Sequence, residues 1–330
     1  MISAKAGGIN AITGEARVHA RGESEWQQLS ITDDLDAGDR VRTANDGRVE
    51  ILLNPGSYLR VGGDSEVELS NNTLENLEVR LLRGTAIVEA TGADGLELNI
   101  NISTPHTKLA IVRQGLYRLN VVPGDATELI VRKGRVILSD SHTKVKGGNK
   151  VVFSASTTTV AKLTKEEKKA NESEQVEVWS KERAKTLAKA NSRISDRMLT
   201  SAFASFTDMD PFSRRVGLWF FNSRAGCYTF LPFFYGWGSP YGSSYTTSAY
   251  YPSGGYNPRP SGWPNTSSQP NGSTSSPGHT YPSGGNSAPR PAAPAPSIAP
   301  SGGFTREPRM IDPDTGRRMP RKNFEPMRQN

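Results

Sequence analysis

Cysteine is almost absent, with Cys227 alone among 330 residues. One thiol excludes an internal disulfide framework and every cysteine-based zinc spacing, and a lone cysteine in an aromatic run reads as a small buried hydrophobe. Histidine is also scarce. His19, His106, His142 and His279 are scattered without HxH or HxxxH spacing, so no metal set or acid–base pair is spelled out. No stretch is apolar and long enough to cross a bilayer as a helix. Phosphate loops, dinucleotide fingerprints and the GxSxG elbow are missing. Ser141 and Lys144 make a formal SxxK, but its usual partner motifs are absent and it falls in a turn. Asp33, Asp34 and Asp36 lack the EF-hand pattern and read as a solvated loop. We therefore expect no catalytic residues, no metal and no cofactor.

Charge is missing from one long stretch. Between Tyr241 and Phe304 only Arg259 and Arg290 are charged, and 17 of the 22 prolines follow Gly238. YPSGG occurs twice there, at Tyr251–Gly255 and Tyr281–Gly285. Such Ser/Gly/Pro/Tyr sequence buries too little apolar surface to offset the entropy of ordering, so residues 243–330 are expected to be a disordered low-complexity tail. The net charge of +7 gathers late: Arg306, Arg309, Arg317, Arg318, Arg321, Lys322 and Arg328 crowd the C-terminal end. That end suits contact with an anionic polymer, or simply a solvated tail; nothing indicates a specific nucleic acid.

What the first half has is alternation. Val41 and Thr43, then Val49, Ile51 and Leu53, then Leu59 and Val61, then Val67 and Leu69 recur at spacing two, as a sheet with a buried face requires. Asp46-Gly47 and Pro55-Gly56 supply turns between them. The same pattern extends the expected core to Val79, Leu81, Ile87, Ile111, Leu119, Ile130, Val136 and Leu138. Four units, Ile12–Val18, Leu82–Val88, Arg113–Leu119 and Arg132–Leu138, share a central glycine followed by a strand. They predict stacked short strands, arranged as a two-layer sandwich or as a short β-solenoid-like pile.

The ordered set Gly38, Asp39, Val41, Thr43, Asp46, Gly47, Leu53, Gly56, Ser57, Leu59, Val61, Ser65, Val67 and Leu69 resembles the FecR domain family, and Thr104, Pro105, Ile111, Arg113 and Gly115 extend the likeness. The resemblance spans roughly residues 9–155. It implies a β domain that senses or binds other proteins. In the family's iron-dicitrate regulator such a domain relays a signal across the inner membrane to a sigma factor, through a cytoplasmic helical domain and a membrane helix that this sequence does not contain. The start ISAKAGG resembles residues that follow an export signal, so export to the periplasm or cell surface is expected if such a signal precedes Met1, and a cytoplasmic location otherwise.

Beyond residue 161 the period changes. Thr164 and Glu167 form a capping box. Val176, Trp179, Leu187, Ala190, Ile194 and Met198 fall on one arc at 3.6 residues per turn, which predicts an amphipathic helix within 162–205. Val176, Trp179, Leu187, Ile194 and Met198 are its docking face, toward its own β domain, another protein or a second copy. Residues 206–242 interleave aromatics with Gly and Pro and read as a hairpin segment. Runs of this kind resemble a segment that follows FecR-like domains in envelope proteins. Three readings stay open for it: a cap on the β domain, a disordered stretch, or an interaction surface in which Trp219, Phe221, Tyr228, Phe230 and Trp237 are the platforms. The organisation is thus a mainly β domain (1–161), a helix, an aromatic segment and a tail. The expected role is a non-enzymatic protein-interaction or sensing module that binds an envelope protein or itself. A surface or matrix structural protein is the alternative, and a sigma-factor regulator is a third reading if further segments lie upstream.

Overall fold

The structure, a computed structural model, describes residues 2–3, 6–91, 98–195, 197–199, 217–232 and 237–245. All of them lie in the unit Met1–Ser261. The expected tail beyond residue 245 lies outside the described residues.

The chain opens with β1 (Ile2–Ser3), β2 (Ile9–Thr13), β3 (Ala16–His19), β4 (Gln27–Gln28), β5 (Asp39–Thr43), β6 (Arg48–Leu52), β7 (Ser57–Val61) and β8 (Glu66–Asn71). The long β9 (Leu77–Ala90) follows, then β10 (Ile100–Ser103), β11 (Lys108–Ile111), β12 (Gly115–Val122), β13 (Ala126–Lys133) and β14 (Arg135–Leu138). Next come β15 (Lys144–Lys146), β16 (Asn149–Ser154), β17 (Thr158–Lys162), α1 (Lys165–Ser173) and α2 (Gln175–Asn191). A hairpin of β18 (Gly217–Asn222) and β19 (Cys227–Pro232) comes last and pairs with β1 in a separate three-stranded sheet.

Strands β2–β17 form one 16-stranded sheet, and β9 is its spine. Residues 77–83 of β9 pair with β8 and β10, giving a first half in the order β4-β3-β5-β8-β9-β10-β11-β14-β15. Residues 84–90 pair with β7 and β12, giving a second half in the order β2-β6-β7-β9-β12-β13-β16-β17. Only the β9–β10 pair is parallel within this sheet. The halves share one apolar core, with Val41, Val67 and Leu81 contributed by the first and Val49, Leu59, Val88 and Leu119 by the second. The architecture is therefore mainly β and reconciles both arrangements left open by the sequence: the layers face each other as in a sandwich, while the chain winds from one to the other as in a solenoid.

The four glycine units explain the winding. Gly14 lies between β2 and β3, Gly84 lies inside β9, Gly115 opens β12 and Gly134 lies between β13 and β14, each where the chain passes from one half to the other. Gly84 has φ +81° and Gly134 has φ +94°, backbone that L side chains rarely adopt. A Cβ at Gly84 would collide with Ser65, and one at Gly134 with the Tyr117 hydroxyl. The crossings are packed against neighbouring strands, so a side chain has no room there.

All sixteen expected core residues are buried. Ile87 and Ile130 differ from the rest in direction. They occupy the opposite alternation phase, and Ile87 packs on Leu116 and Val176 rather than in the main core. All five residues of β7 are buried, so the second half is covered on both faces at this strand. The outer cover is helical. Thr164 caps α1 through the expected box with Glu167. The sequence predicts one unbroken helix, whereas residues 165–191 are divided between two, because Glu174 adopts φ −68° and ψ 143° between them. Strand arginines hold this break: Arg118 bonds Asn171 at 2.9 Å and pairs with Glu174, and Arg132 pairs with Glu172 at 2.5 Å and with Glu177.

Candidate functional site: a charged sheet face under a helix and an aromatic cap

In the second half, β6, β7, β9, β12 and β13 direct Glu50, Arg60, Glu89, Arg118 and Arg132 away from the main core. Glu50 and Arg60 are cross-strand partners in register, and Glu89 lies diagonally across, since Arg60 pairs with Ile87. Alternation alone would leave these side chains in water. Here α2, the hairpin and residues 237–245 cover them, and Glu50, Arg60 and Glu89 are all 0 % exposed.

Arg60 is the hub. Its Nε donates to Glu50 Oε2 at 2.7 Å, and its Nη1 donates to Glu89 and to Ser180 Oγ, the latter at 3.0 Å. Glu50 also accepts from Arg183 Nη2 at 2.7 Å and from Asn10 Nδ2 at 2.8 Å. Glu89 accepts from the Tyr245 hydroxyl at 2.7 Å. Two carboxylates and two guanidiniums thus balance in the interior, one guanidinium coming from the helix. Burial by itself would raise the pKa of Glu50, but Arg60 and Arg183 outweigh it and hold the carboxyl down to about 2. Glu177 is the converse case, since burial pushes it up despite Arg132. The Tyr241 hydroxyl donates to Glu177 at 2.9 Å and lies 2.9 Å from Ser180 Oγ, extending the network. Burial and the nearby Glu89 raise Tyr245, and burial with Glu50 and Glu89 raises Tyr58. Glu50, Arg60, Glu89, Ser180, Arg183 and Tyr245 are bonded to one another in this network. Arranged this way they fix a helix and a loop on a sheet.

Residues of the expected helix face lie partly against the sheet and partly against the hairpin. Val176 packs with Ile87 and Leu116, Leu187 is buried, and Ile194 sits with Leu199, Phe220 and Leu231, against which Met198 packs. Trp179 is only half-buried, at the margin of the stripe. The buried stripe is more polar than the sequence suggested, since it also includes Glu177, Ser180 and Asn191.

The aromatic hairpin divides the five expected platforms. Trp219 and Phe230 are 0 % exposed and Trp237 is 1 % exposed, so these three are interior residues. Trp219 lies 5.0 Å from the Tyr58 ring and 6.1 Å from Phe230, and its Nε1 donates to Leu53 O at 3.3 Å. Phe230 stacks edge-on with Trp237 at 5.7 Å and with Tyr245 at 6.3 Å. The reason is the closing of the sheet's outer face: with Tyr58 there, large rings are what fill the space. This corrects the expectation of a five-ring surface. Phe221, at 39 % exposure, and the half-buried Tyr228 remain outside, edge to face at 5.3 Å across the hairpin. The Asn10 side chain bonds both the N–H and the C=O of Tyr228, acting as a short strand partner. Cys227 is buried beside Arg183 and Glu50, and burial pushes its thiol up, away from a reactive thiolate. Tyr245 also corrects a boundary. It belongs to the packed domain rather than to the tail expected from 243 onward, with its carbonyl accepting from Asn191 Nδ2 at 2.7 Å.

Sequence reasoning missed Glu50, Arg60 and Glu89. The available signal was apolar residues in both alternation phases, Leu52 and Tyr58 alongside Ile51 and Leu59, which marks a strand covered on both sides.

The family described as FecR protein matches residues 39–137, from β5 into β14. This chain contains a FecR domain. The network arginines Arg60, Arg118 and Arg132 and both acids Glu50 and Glu89 lie inside the FecR match, while Ser180, Arg183, Tyr241 and Tyr245 lie after it. Two solved structures of a protein from Parabacteroides distasonis, provisionally named an anti-sigma factor, are similar at 12 % identity and a TM-score of 0.34, covering 40 % of this chain. The match spans 62 % of that protein's length. No curated protein matches the chain by sequence. Among the described residues, no helix is long and apolar enough to cross a membrane and no cluster of ligands could hold a metal.

Proposed function

We propose that this chain is a non-enzymatic protein-interaction or sensing module of a bacterial cell envelope, in which a FecR domain, capped by its own helix and hairpin, presents the tip of that hairpin to a partner protein. The FecR match over residues 39–137 is the observation that carries the reading. It is supported by the use made of the polar side chains: the buried acids and arginines are consumed in mutual pairing, and the one thiol is held protonated. It is supported also by Phe221 and Tyr228, two rings left at the surface on a hairpin fixed from beneath. Aromatic side chains on rigid backbone bind partners at low entropic cost.

The test is a photo-crosslinking residue placed at position 221 in cells of the source organism, with the exposed Val122 as the control position. A discrete protein adduct at 221 and not at 122, on a chain that fractionates with the envelope, is the expected result. Absence of any adduct at 221, or fractionation with the cytosol, overturns the reading.

A further inference from the structure

The first half of the sheet ends in two open edges of opposite charge. At one end β15 pairs only with β14. Lys144 and Lys146 are exposed there, and the register sets Lys146 directly opposite Arg135 and Lys144 opposite Ile137. Like charges facing each other across a strand pair are unfavourable. Among the described residues Arg135, Lys144 and Lys146 form no ion pair, whereas Arg40, Arg42, Arg80 and Arg83 on the same half are all matched by Glu66 or Glu68. Lys108 adds an exposed cation on β11, and Asp140, in the β14–β15 turn, is the nearby acid in sequence.

At the other end β4 pairs only with β3. The strand and its flanks, residues 22–36, carry Glu23, Glu25, Asp33, Asp34 and Asp36 and no basic residue. Glu23 and Glu25 are exposed and form no ion pair among the described residues. Ile31, 49 % exposed, stands beside them. The second half offers no such pair of ends. Its β2 edge is occupied by Tyr228 of the hairpin through Asn10, and its β17 edge carries one charge, Lys162.

We propose that the β15 edge of one molecule docks on the β4 edge of a second copy of this chain, joining molecules head to tail. The occupant follows from charge: among the described residues Lys144 and Lys146 at one edge form no ion pair, and neither do Glu23 and Glu25 at the other. Because the two surfaces differ, the contact is heterologous and adds copies into a row or a ring rather than stopping at a two-fold dimer. With strands of three and two residues the backbone contributes little, so the association is weak and electrostatic and falls with salt.

The experiment is sedimentation velocity of the full chain over a wide concentration range, at about 0.05 M and about 0.5 M salt, which shortens the screening length from roughly 14 Å to roughly 4 Å. The expected result is a concentration-dependent series beyond dimer at low salt that collapses at high salt. Lys144→Glu with Lys146→Glu, or Glu23→Lys with Glu25→Lys, should each weaken it about tenfold or more. Mixing these two variants should restore association, since one then has two acidic edges and the other two basic edges. Wild type that stays monomeric at low salt overturns the proposal, as does association unmoved by either reversal; lysines that only keep the edge from pairing give the first outcome. Association lost on Phe221→Ser with Tyr228→Ser but kept in both charge variants also overturns it, while leaving the hairpin reading intact.

Discussion

Replacing Arg60 with Met is the most direct test of the buried network. The substitution keeps an apolar body of similar length and removes the guanidinium that joins Glu50, Glu89 and Ser180. Glu50 retains Arg183, but among the described residues Glu89 retains only the Tyr245 hydroxyl. One buried carboxylate is then left without a cation, for which losses of about 3–5 kcal/mol are usual. For a domain of this size that lowers Tm by about 10 °C. The wild type supplies an independent measure through pH. Glu50 is depressed from an ordinary 4.5 to about 2. A depressed carboxyl contributes stability that is complete above its unfolded pKa and disappears as pH falls through the folded value, so wild type should lose about 3 kcal/mol between pH 4.5 and 2 from this group. In Arg60→Met the Glu50 part of that acid loss should shrink and move upward in pH. Thermal melts followed by circular dichroism from pH 7 to pH 2 read both effects. The double variant Arg60→Met, Glu89→Gln should recover most of the neutral-pH loss, because it removes the stranded carboxylate while Glu50 keeps its pair with Arg183. An Arg60→Met protein that melts within about 2 °C of wild type would refute the reasoning.

The remaining expectations concern the cap. Trp219→Ala should cost about 3–5 kcal/mol by opening a cavity beside Tyr58 and Phe230, while Phe221→Ala should cost under about 1 kcal/mol, a contrast that urea melts will read. A chain ending at residue 242 should melt lower than one ending at 250, because only the longer keeps the Tyr245 bonds to Glu89 and Asn191; equal Tm values would remove Tyr245 from the packed domain. Cys227 should react with a thiol reagent slowly in the native state and fast in denaturant, and rapid native labelling would contradict its burial.

The strands were legible because their signal is local. Spacing-two runs and turn glycines place β5 to β8 without knowledge of their neighbours, and the glycine units mark the crossings. The outer face was not legible, because its burial depends on partners far along the chain: Arg60 meets Ser180, and Glu89 meets Tyr245. The helix break failed to show for the same reason, since the arginines that hold it, Arg118 and Arg132, lie on β12 and β13. Trp219 and Phe221 differ by two positions and share a hairpin face, yet one is interior and the other exposed; composition sees two aromatic rings, and only the reach of the sheet beneath separates them.

The glycine-cornered winding bears on how such a domain can change size. Each out-and-back lap of the chain rests mainly on the laps beside it, as the units of a repeat protein do. Growth or loss of one lap therefore alters length while leaving distant laps their contacts, provided that a glycine remains at each new corner. β9 is the exception, because its fourteen residues belong to both layers at once. Deletions should be tolerated toward the rims and fatal at this strand, so natural variation in length among similar domains should stop on either side of Gly84.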